Sequence, residues 1–279
     1  MTFRDLIVHV NVSKHCRQRL EVAAQLARTF DAHLTGLYTS AVGDVAFFMI
    51  DDVGAKAAAP TMRAWWMEMR DKVRAEFDVF WRDAGIAVDW IEVGGDVGAM
   101  VPLHARYADL TIVGQLDPEE LLPRPEYEIP ERVALESGQP VLVVPYAGSF
   151  ASVGRRILIA WNGSPQAARA VRDALPLLKR AEKVMVLTLN PAGLGKGEET
   201  RPGDRLLAHL RRHGIEAESH ELTADHISAE DFILSRAVDE GADLIVMGAY
   251  GHSRAREVVL GGATRGMFKH MTMPVLMSH

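Results

Sequence analysis

The chain has 279 residues, 48% hydrophobic and 24% charged, with 31 Lys and Arg against 37 Asp and Glu and a formal net charge of -6. That length holds two ordinary domains and that composition a packed core, while the acidic balance gives no electrostatic reason to expect nucleic acid or an anionic membrane as partner. One cysteine, Cys16, excludes an internal disulfide, no apolar run approaches the roughly 20 residues of a membrane span, and residues 1–10 lack an export-signal pattern, so a cytoplasmic protein is expected.

In chain order, short apolar runs predict strands at 5–10, 33–38, 88–93, 108–114 and 140–145. They alternate with helical spacing such as Leu20, Ala23, Ala24, Ala27 and Phe30. The same order then returns. Strands are predicted at 156–161, 183–190, 215–222, 242–248 and 274–277, with an apolar stripe at Ala167, Ala168, Val171, Ala174, Leu175 and Leu178.

Phrases recur along with the pattern: IVHVNVS at 7–13 answers LIAWNGS at 158–164, ADLTIVG at 108–114 answers ADLIVMG at 242–248, and QPVLVVP at 139–145 answers MPVLMSH at 273–279. The offset falls from 151 at the first pair to 134 at the others, so the first half carries 17 extra residues, expected around 44–84.

Strands apolar nearly throughout and alternating with helices predict an α/β chain. Each half should be a parallel sheet with helices on both faces, joined by right-handed crossovers. Ligands on such sheets bind beyond the carboxyl ends of the strands, where the strand order reverses. The small and polar residues of 146–154 mark the boundary between units at 1–147 and 154–279. The last strand of each half is apolar enough that a bare edge would invite pairing. The halves are therefore expected to pair those edges as an intramolecular pseudo-dimer, leaving a further homodimer and unknown protein partners open.

The richest functional stretch is GAYGHSRAREVVLGGATRG at 248–266, directly after the strand of 242–248. Two residues separate Gly248 from Gly251, nine separate Gly251 from Gly261, and Gly262, Ala263 and Thr264 open a helix-like segment. Spaced glycines before a helix N-terminus build a backbone cradle for phosphate oxygens. Thr264 adds a hydroxyl.

By this spacing and the whole-chain repeat, the sequence resembles a tandem universal stress protein, whose ATP-binding branch carries G-x2-G-x9-G-[S/T] after the fourth strand. The resemblance implies two tandem universal stress domains. Each is a Rossmann-like five-stranded parallel sheet, similar to the adenine nucleotide alpha hydrolases. It also implies a stress-response sensor or regulator that binds ATP or a related adenine nucleotide, with Mg as candidate counter-ion.

Carried over by position, Gly248, Gly251, Gly261, Gly262, Ala263 and Thr264 face the phosphates, Met247 flanks them, and Leu189 lies near the adenine. Asn162 stands where the family commonly has an acid holding the base or ribose, and Gly262 where Ser or Thr is usual. The glycines precede no Walker lysine and no carboxylates pair at catalytic spacing. No catalytic residue and no metal ligand is assigned, and at most slow ATP hydrolysis is expected.

In the first half Gly114 is followed by QLDPEELLPRPEYEIPERVALESG, with Asp117, Glu119 and Glu120 where phosphates would lie. This half is not expected to bind ATP in the same way. The alternative reading gives it a non-nucleotide ligand: a metal drawn from His9, His15, Cys16, His33 and His104, an apolar molecule, or a protein partner. Ser13 and Ser164 read as helix caps, and His209 and His213, four apart, as a solvated helix face.

Overall fold

The computed structural model describes residues 2–40, 53–94, 96–120, 129–189, 202–223, 227–249 and 262–279. The strands are β1 (Asp5–Val10), β2 (His33–Ser40), β3 (Asp89–Gly94), β4 (Leu110–Gly114) and β5 (Val141–Val144), then β6 (Arg156–Trp161), β7 (Lys183–Leu189), β8 (Glu218–Leu222), β9 (Leu244–Gly248) and β10 (Val275–Ser278). They form one sheet in the order β3-β2-β1-β4-β5-β10-β9-β6-β7-β8. Neighbours run parallel within each half. Only β5 and β10 meet antiparallel, with Val143 opposite Val275 and Leu142 opposite Leu276. Both are buried along their whole length, so joining them removes two sticky edges. The remaining edges, β3 and β8, carry Asp89 and Glu92, and Glu218 and Glu221, charges that discourage pairing with another chain.

Helices cover both faces. Among the described residues the first half has α1 (Cys16–Phe30), α2 (Val53–Ala84), α3 (Val97–Ala105) and α4 (Ile129–Glu136). The second has α5 (Pro165–Asp173), α6 (Leu175–Leu178), α7 (Pro202–Arg212), α8 (Ala229–Asp239) and α9 (Gly262–His270). One core joins Leu20, Phe77, Trp81, Ala170, Leu177 and Leu206 to strand residues such as Val8 and Ile159. The other joins Val101, Val133, Ile233 and Met267 to Ile7 and Leu158. Alternate strand residues thus feed opposite cores. The extra length of the first half is α2, with 32 residues against 11 in its counterpart α7.

Several strands start later than the apolar pattern predicts, and for β8 and β9 helix caps are the reason. Gly214 (φ 76) and Gly241 (φ 61) take the left-handed conformation, and the next residue turns its N–H back to the helix: Ile215 to the Leu210 carbonyl and Ala242 to the Ala237 carbonyl. Ile215 and Ala242 therefore close α7 and α8 before β8 and β9 begin.

Gln115, just past β4, ties the halves together. Its Nε2 donates to the Phe268 and Lys269 carbonyls (2.9 and 3.2 Å) at the end of α9, while its Oε1 accepts the Tyr146 N–H.

Candidate functional site

The strand order reverses at β1 and β4 in the first half and at β6 and β9 in the second. Crevices at such points receive ligands in open α/β sheets. Because the halves join antiparallel, the carboxyl ends of their strands, and so the two crevices, face opposite ways along the strand direction.

In the second half, β6 runs between β7 and β9, with Trp161 beside Thr188 and Ala160 beside Met247. The ends of these strands bring together Asn162, Leu189, Met247 and Gly248. Asn162 Oδ1 accepts the Ser164 N–H (3.1 Å), and Ser164 Oγ accepts the Ala167 N–H (3.1 Å) as N-cap of α5. Ser164 followed by Pro165 is a strong helix start, and it starts α5 early enough to set its first turn on the end of β9. A Cβ on Gly248 would lie 2.5 Å from the Ala167 nitrogen and 2.7 Å from the Gln166 carbonyl carbon. Gly248 thus serves helix packing.

Met247 is buried among Met267 and Met273, so its side chain belongs to the core. Leu189, partly buried, packs against the same core. Gly262 opens α9 on the surface with nothing near the place of a Cβ, Ala263 is half-buried, and Thr264 is buried. The backbone N–H groups of this first turn are those a helix leaves for an anion. Gly251 and Gly261 lie outside the described residues.

The first crevice is filled by the protein's own side chains. Arg19 is 3% exposed; its Nε donates to the His9 carbonyl (2.7 Å) and its Nη2 to Asn11 Oδ1 (2.7 Å). A Cβ on Gly114 would collide with the same guanidinium. At the repeat offset of 151 its counterpart is the small, buried Ala170. Burial, and then the Arg19 charge, push His9 well below the ordinary histidine value. His9 Nε2 pairs with Thr39 Oγ1 at 2.9 Å.

The loop after β4 folds back over this crevice. Glu120 accepts the Ser13 hydroxyl and the Lys14 N–H, both at 2.7 Å, and Asp117 meets Lys14 Nζ at 2.8 Å and His15 Nε2 at 2.9 Å. Ser13 is therefore no N-cap: His15 holds that position without a side-chain bond, and the Ser13 hydroxyl is spent on Glu120 and the His15 N–H. Of the carboxylates that sequence alone reads as repelling phosphate, Asp117 is paired with Lys14 and His15, and Glu120 is hydrogen-bonded to Ser13 and the Lys14 N–H. Arg19 is the residue that sequence reasoning missed. Its signal was present, since it falls at helical spacing with Ala23, Leu26 and Phe30 on the buried stripe of α1.

The Lys14 and His15 bonds, with the Glu119 N–H, hold the Asp117 carboxyl well below the usual carboxylate range. A depressed folded-state pKa contributes stability above the unfolded value of about 3.9 and loses it as pH falls from there. The wild type is therefore expected to melt several degrees above Asp117→Asn at neutral pH, and the two curves to converge as pH falls below about 4. A constant separation of the thermal midpoints down to the acid limit would show that the clasp rests on shape and not charge. Among the described residues no group of three or more His, Cys, Asp or Glu could hold a metal. His33 pairs instead with Asp5 and Asp89.

Residues 154–279 match the model of the universal stress protein family. A universal stress protein of Synechocystis sp. is 29% identical over 153 residues, covering 52% of this chain and 49% of that protein. The universal stress protein MJ0577 of Methanocaldococcus jannaschii is 41% identical over 44 residues, covering 16% and 27%. The chain thus spans half or less of the length of these curated relatives. The crystal structure of a universal stress protein from Archaeoglobus fulgidus covers 98% of this chain and 97% of its own, with TM-score 0.74 and 17% identity, a likeness of fold.

Proposed function

We propose, for a chain that belongs to the universal stress protein family through residues 154–279, that its C-terminal unit binds ATP or a related adenine nucleotide and acts as a stress sensor or regulator. The observation that carries this is the contrast between equivalent crevices. In the first, Arg19, Asp117 and Glu120 occupy the ground; in the second, Ala170 replaces Arg19 and α9 presents its N-terminus beside the sheet.

Asn162 has its oxygen committed to the turn, and among the described residues its amide nitrogen bonds nothing. That nitrogen donates to a base or ribose acceptor. Leu189 lies against the base, the strand end at Met247 and Gly248 forms the floor, and Gly251, Gly261, Gly262, Ala263 and Thr264 cradle phosphates. Mg accompanies the phosphates as counter-ion. The units, 1–147 and 154–279, then divide the work: the first is scaffold and partner surface, the second the ligand site. Binding fastens residues 251–261, which lie outside the described residues, to the ligand and changes the surface that partners read. A cytoplasmic location fits such a sensor. The alternative, a metal, apolar or protein ligand held in the first crevice, has less support because the polar side chains there are already paired with one another.

Calorimetry of the full chain with ATP and Mg is expected to show saturable binding in the micromolar to millimolar range, and no affinity anywhere in it would sink the proposal. The space beside Gly262 admits a hydroxymethyl group. Gly262→Ser is therefore expected to bind ATP about 2- to 10-fold more tightly by one added hydrogen bond. Equal or weaker binding would take this turn out of the site.

A further inference from the structure

On the face of the sheet covered by α5, α6 and α7, a groove of about 650 Å3 lies between these helices, within the roughly 300–1,000 Å3 range of small-molecule sites. Its floor is apolar: Val171 and Leu206 are buried, and Trp161 lies partly buried beside them with its indole Nε1 buried and unpartnered among the described residues.

Its walls carry basic side chains. Arg172 and Lys179 stand on one side, seven residues apart and flanking Leu175; Arg205, His209 and His213 stand on the other, four apart along one stripe of α7 and the turn after it. No Asp or Glu is among the described lining residues. Arg172 and Lys179 form no ion pair among the described residues and stand exposed at the rim. The matching groove of the first half, between α1 and α2, is different: Glu21, Glu76 and Asp83 there offset Arg17, Arg28 and Lys72. An apolar floor between basic side chains with no acid in the described lining is therefore a property of the second half, and His209 and His213, which sequence reads as a solvated face, are part of it.

We propose that this groove binds an amphipathic anion, a long-chain carboxylate whose hydrocarbon lies on Trp161, Val171 and Leu206 and whose head pairs with Arg172 and Lys179. Burial of the chain supplies affinity, and the cations select a charged head over a neutral one. The helix wall of 11 residues is about 16 Å long, which suits a single extended chain. The groove flanks the sheet and shares only the end of β6 with the nucleotide crevice.

The test uses the full chain with a fluorescent dansylated undecanoate, displaced by laurate or by the neutral dodecanol. Laurate is expected to displace the probe saturably and more strongly than dodecanol. The exposed double substitution Arg172→Glu with Lys179→Glu should weaken laurate about tenfold or more and leave dodecanol unchanged. Ala168→Trp, on the open rim, should fill the groove and abolish both. The thermal midpoint of each variant reports that it is folded, and Arg172→Gln with Lys179→Gln repeats the charge test without reversal. Absence of saturable laurate binding to the wild type, equal displacement by dodecanol, or unchanged laurate affinity in both charge variants would overturn the proposal.

Discussion

Arg19→Ala is expected to lower stability by about 2–4 kcal/mol, read as a fall in the urea midpoint. Hydrogen bonds from a charged donor contribute about 1.5–3 kcal/mol each, and this buried guanidinium makes two, to the His9 carbonyl and to Asn11. Against them stands the cost of burying the charge, which is why the net is less than their sum. Truncation also empties the space over Gly114 and frees Asn11, whose Oδ1 accepts the N–H of Ser13. Ser13 in turn holds Glu120, so the acidic loop loosens with it. Arg19→Lys should lose nearly as much, because a single ammonium cannot span both acceptors.

His9 supplies an independent reading of the same change. Burial is the larger cause of its lowered pKa and the Arg19 charge the smaller, so in Arg19→Ala it should titrate higher while remaining below the ordinary value. Wild-type stability in the variant, with His9 unmoved, would show that Arg19 does not organise the first crevice.

Gly248→Ala is expected to cost about 1–3 kcal/mol through overpacking. The added methyl meets the backbone of Gln166 and Ala167, and backbone cannot swing aside as a side chain can. Relief requires α5 to move, which strains the Ser164 cap and the Asn162 turn behind it. Nucleotide affinity should fall with stability, because Asn162 is carried on that turn. Gly262→Ala is the matched control. With nothing near its Cβ position and a place at the start of a helix, it should be neutral or stabilising by up to about 1 kcal/mol. Equal losses at both glycines would mean that backbone freedom, and not the helix contact, sets the requirement at Gly248.

Much of the architecture was legible because it is written in periodicity. Ten apolar runs and their repeat placed ten strands, since a strand buried on both faces must be apolar nearly throughout. The offset difference located the extra length that the structure resolves as the long helix α2. Strand starts at 215 and 242 were misplaced because Ile215 and Ala242 are apolar for a different reason, closing a left-handed helix cap. The role of Ser13 was misread because a serine after a first strand looks the same whether it caps a helix or serves Glu120, a partner 107 residues away.

By itself the sequence determined the duplicated α/β fold, the apolar last strands that had to meet, and a glycine spacing kept in one copy and lost in the other. All of these are local or periodic properties, carried by residue type and separation. Only the tertiary structure decided what stands in each crevice: Arg19 and two carboxylates in the first, the first turn of α5 against Gly248 in the second. It alone set three cations and two histidines from separate elements around one apolar floor. Those outcomes depend on contacts between residues distant in the chain, which packing selects and no spacing records.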